Sequence, residues 1–354
     1  MLIFDSHLDL GLNAIDWNRD LRQTVDDIRA QERHFGMAGE KGRCTNTVSF
    51  PELRKAEVGV GVATVLARQE VPINHPMGYT TPEACYAVAM SHLAYYRAME
   101  HGGHMRLLRT RDELQRHVAE YEKDATRPPG FILSMECADP VLDPENIFEW
   151  HENGLRAIGI THYGPNRYGG GTRSEVGLAV DALPLLKNIA KLGIALDLTH
   201  LSDKAFWQVA ERFEGRVLAS HQNARRFCNW QRQFADEQIR VVIERDGVLG
   251  MACDIIMLQE GYVRGVSPRT ETLERVVDNI DHICQMAGNV RHVGIGSDLD
   301  GGYGCEQTPA DLDTIADLQR LPGLLQKRGY SEPDVAAIMH GNWIRFFSEV
   351  LPSG

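Results

Sequence analysis

Eight short apolar runs recur along the chain, and most of them end in a residue with reactive or metal-binding chemistry. They cover residues 2–9, 58–68, 130–136, 155–162, 193–200, 216–221, 247–254 and 292–298. Most are rich in Val, Ile, Leu and Ala and lack the alternation of a half-exposed strand, as expected when both faces of a parallel strand are buried. Amphipathic stretches at 82–101, 179–192, 202–212, 236–245 and 270–286 supply crossover helices, with start signals at Ser202-Asp203 and Asp236-Glu237. The spacing predicts an α/β fold, a (β/α)8 TIM-type barrel, in which all strand C-termini meet at one mouth. Residues 16–51 read as an insertion after the first strand, and 144–151 as a short helix after the third. Such barrels commonly fill roughly 200 to 400 residues, so residues 1–354 read as a single domain.

The strand ends carry the chemistry. His7 and Asp9 in FDSHLDL lie two apart and share a strand face. His200 in ALDLTH and His221 in VLASHQN end consecutive strands, and neutral imidazoles suit zinc. Glu136 closes the apolar run FILSMEC, where a buried carboxylate needs a cation, and its two oxygens can bridge two ions. These five residues form a candidate set for two zinc ions. In VGIGSDLDG, Asp298 is the first residue past the apolar strand and is favoured as general base over Asp300, since Asp300-Gly301-Gly302 reads as a turn. His162 in AIGITH completes no ligand set and reads as a substrate-binding or electrophilic group.

Other features read as structural. Cys137 directly follows Glu136 and points to the opposite strand face, which argues against a nucleophile. His101, His104 and His117 read as a solvated helix face, and Trp207, Trp230 and Trp343 as packing. The segment NRYGGGT (166–172) lacks the lysine of a phosphate loop and reads as a mobile rim or lid.

Composition removes several functions. With 37 basic against 49 acidic residues the formal charge is −12, which disfavours nucleic acid or an anionic membrane as partner. Seven cysteines without a C-x-x-C pair read as scattered buried thiols in a reducing compartment. The N-terminus shows no basic region followed by an apolar one, and no apolar stretch reaches the roughly 18 residues of a membrane span, so a cytoplasmic protein is expected.

The ordered motifs FDSHLDL, ALDLTHLSDKAF, ASHQNARRF, RQFADEQI, GIGSDLDGG and HGNWIRFF run almost end to end. On them the chain resembles the zinc membrane-dipeptidase (renal dipeptidase) family of metallopeptidases, within the amidohydrolase-type barrels, as a divergent member. The resemblance implies one zinc on His7, Asp9 and Glu136, the other on Glu136, His200 and His221, and substrate contacts from His162, Arg232 and Asp298. Arg232 enters because Arg232-Gln233-x-x-Asp236 matches the family's Arg-Asn-x-x-Asp. The implied activity is hydrolysis of small dipeptides by a hydroxide bridging the ions, with tolerance of a D-residue at the C-terminal side and a homodimeric assembly. Two departures surround the substrate. Cys137-Ala138-Asp139 stand where the family has glycines, and YGPNRYGGGT replaces the usual Asn and Trp-Ala neighbourhood after His162. They motivate an alternative, a zinc amidohydrolase acting on N-acyl amino acids, lactones or cyclic amides. A further alternative, a non-catalytic metal-stabilised binding protein, requires an impaired ligand set, whereas all five ligands are present.

Overall fold

The computed structural model describes residues 1–70 and 78–354. Eight parallel strands are found where the apolar runs predict them: β1 (Ile3–Leu8), β2 (Val58–Leu66), β3 (Gly130–Glu136), β4 (Leu155–Gly159), β5 (Ala195–Asp197), β6 (Val217–Leu218), β7 (Leu249–Met251) and β8 (Val293–Ile295). Each pairs with its chain neighbour, β8 pairs with β1, and a parallel bridge between Ala219 and Leu249 joins β6 to β7. Every strand residue is buried, the physical reason for the missing alternation.

The crossover helices follow local signals. Pro82–His101 has Pro in its first turn and the Thr81 side chain accepting from the Ala84 N–H. Asp203–Arg212 is capped by Ser202, whose Oγ accepts from the Ala205 N–H at 3.1 Å. Leu273–Ala287 begins at the Thr272 cap, three residues later than its apolar period alone suggests, and Gly288 closes it at φ +68°.

The first halves of the strands fill the barrel floor. Phe4, Val60, Ile132, Ala157, Ala195 and Leu218 pack with Trp343, Phe346 and Phe347 from the C-terminal helix Asn342–Val350. Phe4 stacks on Phe347 with centroids 5.5 Å apart, and Trp343 Nε1 donates to the Ile295 carbonyl at 3.0 Å. Above this plug Ser6 Oγ donates to the Ser220 and Ile295 carbonyls. The strands come so close there that a Cβ on Gly296 would stand 1.8 Å from the Ser220 oxygen.

Two expectations are corrected. His117 is not on a solvated face: it is buried, with Nε2 2.8 Å from the Gly59 carbonyl. The glycine-rich segment is not a mobile lid. Gly169, Gly170, Gly171 and Thr172 are all buried, Gly170 bonds Gly177 and Ser202 through its main chain, and Thr172 N–H donates to the His162 carbonyl. A Cβ on Gly171 would fall 1.9 Å from that carbonyl, so these glycines serve close backbone approach and not mobility. All seven cysteines are free thiols. No helix among the described residues is long and apolar enough to cross a membrane.

Candidate active site

The strand C-termini surround a cavity of about 500 Å³ lined by Asp9, Glu136, His162, His200, His221, Arg232 and Asp298, with His7 beside Asp9 and Glu136. Glu136 is the hub. Its Oε2 lies 3.5 Å from His7 Nε2, while its Oε1 lies 3.1 Å from His200 Nε2, 3.4 Å from His221 Nε2 and 3.7 Å from His162 Nε2. His7 Nε2 is also 3.6 Å from Asp9 Oδ2 and 3.9 Å from Asp298 Oδ1. The two oxygens of one carboxylate thus face two different donor groups.

Departures from regular strand geometry aim these side chains. The register of β1 against β2 shifts between Asp5 and Leu8, so that Phe4 joins the barrel floor while His7 reaches the mouth. His200 and Asp298 take left-handed backbone conformations, with φ of 68° and 58°, three residues past the ends of their strands. Such conformations are unfavourable for a residue with a Cβ and gather at functional sites.

Neighbouring groups hold His7, Asp9, His200 and His221, four of the candidate ligands, in place. Asp5 Oδ1 accepts from the N–H groups of His7 and Ser297, tying β1 to β8, and Asp197 Oδ1 accepts from those of Thr199 and Ser220, tying β5 to β6. Ser220 Oγ bonds His221 Nδ1 at 2.8 Å and lies 3.3 Å from His7 Nδ1, Thr172 Oγ1 bonds His200 Nδ1 at 3.0 Å, and Thr64 Oγ1 donates to Asp9 Oδ1. With Nδ1 so engaged, each imidazole presents Nε2 to the cavity, the usual support of a metal-binding histidine.

The electrostatics call for a cation. His7 Nε2 is buried and has no hydrogen-bond partner among the described residues, and the Nε2 atoms of His200 and His221 face each other at 3.1 Å. Burial holds both of these imidazoles well below the usual histidine pKa, so they stay neutral and able to ligate. Burial opposes a proton on His7 as well, yet Glu136 and Asp9 hold its pKa well above the ordinary value. The carboxylates of Glu136 and Asp9 therefore favour positive charge at this point, which a metal ion held there would also supply. Three groups of donors have atoms within 4.8 Å of one another: His7, Asp9 and Glu136; Glu136, His162 and His200; His7, His221 and Asp298. The residues fit a metal centre.

The remaining candidates separate clearly. Asp298 lines the cavity, its acidity weakened by burial against the opposing charge of His7. Asp300, two residues on, points away: its carboxylate accepts from Thr47 N–H at 2.7 Å, Thr47 Oγ1 at 2.8 Å and Val48 N–H at 2.9 Å, fastening the insertion to the barrel. Burial pushes His162 down to about 4, and its Nδ1 is buried without a partner among the described residues. Arg232 lines the same cavity at 3% exposure, donating to Gln222 Oε1 and the His221 carbonyl. Cys137 is buried with φ +72° and its thiol bonds Asp139. Two further cavity residues, Arg68 and Asp254, end the second and seventh apolar runs. Their position at the ends of apolar runs is the signal in the sequence, the same one that marks Asp298.

A buried histidine and carboxylate cluster at the C-terminal mouth of a parallel barrel defines a metal-dependent barrel enzyme. The chain belongs to the membrane dipeptidase family (peptidase family M19), whose profile matches residues 1–352, and is thereby a metallo-dipeptidase. It is similar to an uncharacterized protein in the pqqA 5' region of Klebsiella pneumoniae, 29% identical over 207 residues, spanning 56% of this chain and 73% of that one. Dipeptidase aclJ of Aspergillus oryzae is 28% identical over 244 residues, 66% of this chain and 55% of its own. Among solved structures, a metallo peptidase from Rhodobacter sphaeroides liganded with a phosphinate mimic of L-Ala-D-Ala superposes with a TM-score of 0.78 at 24% identity, covering 99% of each chain.

Proposed function

We propose that the protein hydrolyses small dipeptides bearing a free C-terminal carboxylate, with two zinc ions held by His7, Asp9 and Glu136 and by Glu136, His200 and His221. Imidazole nitrogens and carboxylate oxygens, with no thiolate, make a donor set suited to catalytic zinc. Bound there, such ions lower the pKa of a water toward 7 and polarise a carbonyl oxygen. Asp298 accepts the proton of the attacking water and returns it to the leaving amine. His162, neutral at pH 7, donates an N–H to the carbonyl oxygen as negative charge develops there.

Arg232 carries the dipeptide reading. Its guanidinium is buried and bonded only to neutral oxygens, and it makes no ion pair among the described residues. A buried cation in that state is unfavourable until an anion enters, and the guanidinium fork matches a carboxylate. The R. sphaeroides relative with its L-Ala-D-Ala mimic supports including D-residues at the C-terminal side among the substrates.

Metal analysis and a substrate panel test the proposal. Protein purified without chelator should carry about two zinc ions per chain. Saturation at one ion with full activity would remove the bridging role of Glu136. Arg232→Met should raise KM for dipeptides strongly while zinc content holds, and amidated dipeptides should be poor substrates of the parent enzyme. Equal turnover of acid and amide would take Arg232 out of this role, and preference for N-acetylated substrates would point to an amidohydrolase of N-acyl amino acids.

A further inference from the structure

Asp254 stands past the end of β7 in the cavity wall, and the proposed reaction makes no use of it. It is 6% exposed. Its Oδ1 accepts from the Ile256 N–H at 3.0 Å and from Gln307 Nε2 at 3.0 Å, and its Oδ2 lies 3.1 Å from the same Nε2. No lysine or arginine forms an ion pair with it among the described residues. Tyr303, from the loop after β8, also lines the cavity; it is 1% exposed, and its hydroxyl has no hydrogen-bond partner among the described residues. Ile256 and Met257 supply apolar wall beside them. Burial raises Asp254 to about 6 against the hydrogen bonds from Ile256 and Gln307 and the opposing charges of Lys41 and Arg232, so those cations lie within electrostatic reach without pairing.

Among the described residues, one cavity therefore contains a buried cation without an ion pair, Arg232, and a buried anion without one, Asp254. Each is costly to keep dry and unpaired, and one ligand carrying both opposite charges relieves both. We infer that Asp254, with Gln307 and Tyr303, forms a side-chain subsite that selects dipeptides whose C-terminal residue bears an ammonium or guanidinium group. The inference rests on Arg232 as the clamp for the α-carboxylate, which places the same residue's side chain toward Asp254. Its methylene stem would pass the apolar wall of Ile256 and Met257, and the Tyr303 hydroxyl would accept a second hydrogen bond from its head. Capping of the short turn Ile255–Met257 accounts for one bond to Asp254, but not for the unpartnered hydroxyl of Tyr303 in the same wall. Lys41, exposed on the insertion and lining the same cavity, is the competing reader, since it would favour an acidic side chain.

The test compares kcat/KM of the zinc-loaded enzyme for L-Ala-Lys and L-Ala-norleucine in both C-terminal configurations, with L-Ala-D-Ala and L-Ala-Glu alongside. Lysine should be preferred over norleucine by roughly ten- to a hundredfold, the range of a charge-assisted bond in a buried site. Asp254→Asn keeps the shape and the turn cap and should bring that ratio close to one, and Tyr303→Phe should lower it less. A wild-type ratio near one overturns the inference without any variant, as does a ratio that survives Asp254→Asn because all substrates lose equally. A preference for glutamate that disappears in Lys41→Met overturns it in favour of Lys41. Failure of every dipeptide, L-Ala-D-Ala included, overturns the dipeptide reading and this subsite with it, whereas turnover of L-Ala-D-Ala without a lysine preference overturns the subsite alone.

Discussion

The two ends of the barrel are built from the same eight strands by opposite rules. At the floor, Phe4, Ile132 and Leu218 meet Trp343, Phe346 and Phe347 in close apolar packing, and the indole N–H has its carbonyl. At the mouth, His7 Nε2 and His162 Nδ1 are buried without partners among the described residues, His200 and His221 turn the same ring atom toward each other, and His200 and Asp298, just past their strands, hold left-handed backbones. The floor is consistent at every level of structure, which makes it a source of stability. The mouth leaves polar groups unsatisfied and backbone strained, which marks a site completed by metal and substrate.

The largest expected break in this contrast is Glu136→Gln. Loss of the shared carboxylate should lower metal content and reduce kcat/KM by more than the roughly 10²–10⁴ that a general base supplies, while the metal-free protein unfolds at an equal or higher temperature. Metal analysis with calorimetry checks both halves. A large fall in stability would mean that Glu136 is a core residue first. Trp343→Ala is the mirror experiment at the floor: about 3–5 kcal/mol of stability should vanish in denaturant titrations, with turnover per folded molecule kept. Reduced turnover at full folding would show that the floor also shapes the site.

Asp298 and Asp300 repeat the contrast within one turn of chain. Asp298→Asn should cost roughly 10² or more in kcat with metal retained, because the amide cannot take the water proton. Asp300→Asn should instead cost about 1–3 kcal/mol of stability, since one of its oxygens becomes a donor facing Thr47 and Val48. If Asp300→Asn were the inactive variant, the roles given to the two carboxylates would be reversed.

The smallest effect is on pH dependence. His162 titrates near 4 when folded against 6.5 as a free side chain, so on acidification the unfolded chain takes up the proton first. The metal-free protein should therefore lose stability between about pH 6.5 and 4, and none above pH 7 from this group. His200 and His221 act in the same sense and His7 in the opposite one, so the readout is the difference between wild type and His162→Gln. An unchanged slope in the variant would show that His162 takes up its proton as readily in the fold as in the unfolded chain.

Much of this was legible in the chain itself. Unbroken apolar runs betray parallel strands because both faces are buried, and a parallel barrel gathers its strand ends whatever the distance along the sequence, so His7 and Asp298 could be placed at one mouth before any coordinates. The Asp298 choice rested on position past the strand, and the structure gives Asp300 a different occupation altogether. The glycine-rich segment was misread because glycine permits both mobility and close approach, and only the carbonyl of His162 beside Gly171 distinguishes them. Likewise His117 follows a helix face whose exposure depends on what packs there, here the Gly59 carbonyl.

The sequence by itself determined the eight strands, their order, and which strand ends bear metal-binding side chains, since these depend on burial periodicity and residue chemistry along a single chain. Tertiary structure alone decided which side chains face one another. The register shift in β1 that turns His7 into the mouth, the approach of Ser220 to His7 and of Thr172 to His200, and the placement in one cavity of Arg232 and Asp254, neither ion-paired among the described residues, all arise between segments distant in sequence. Their partners are set by packing and electrostatics in three dimensions, to which no local pattern of residues refers.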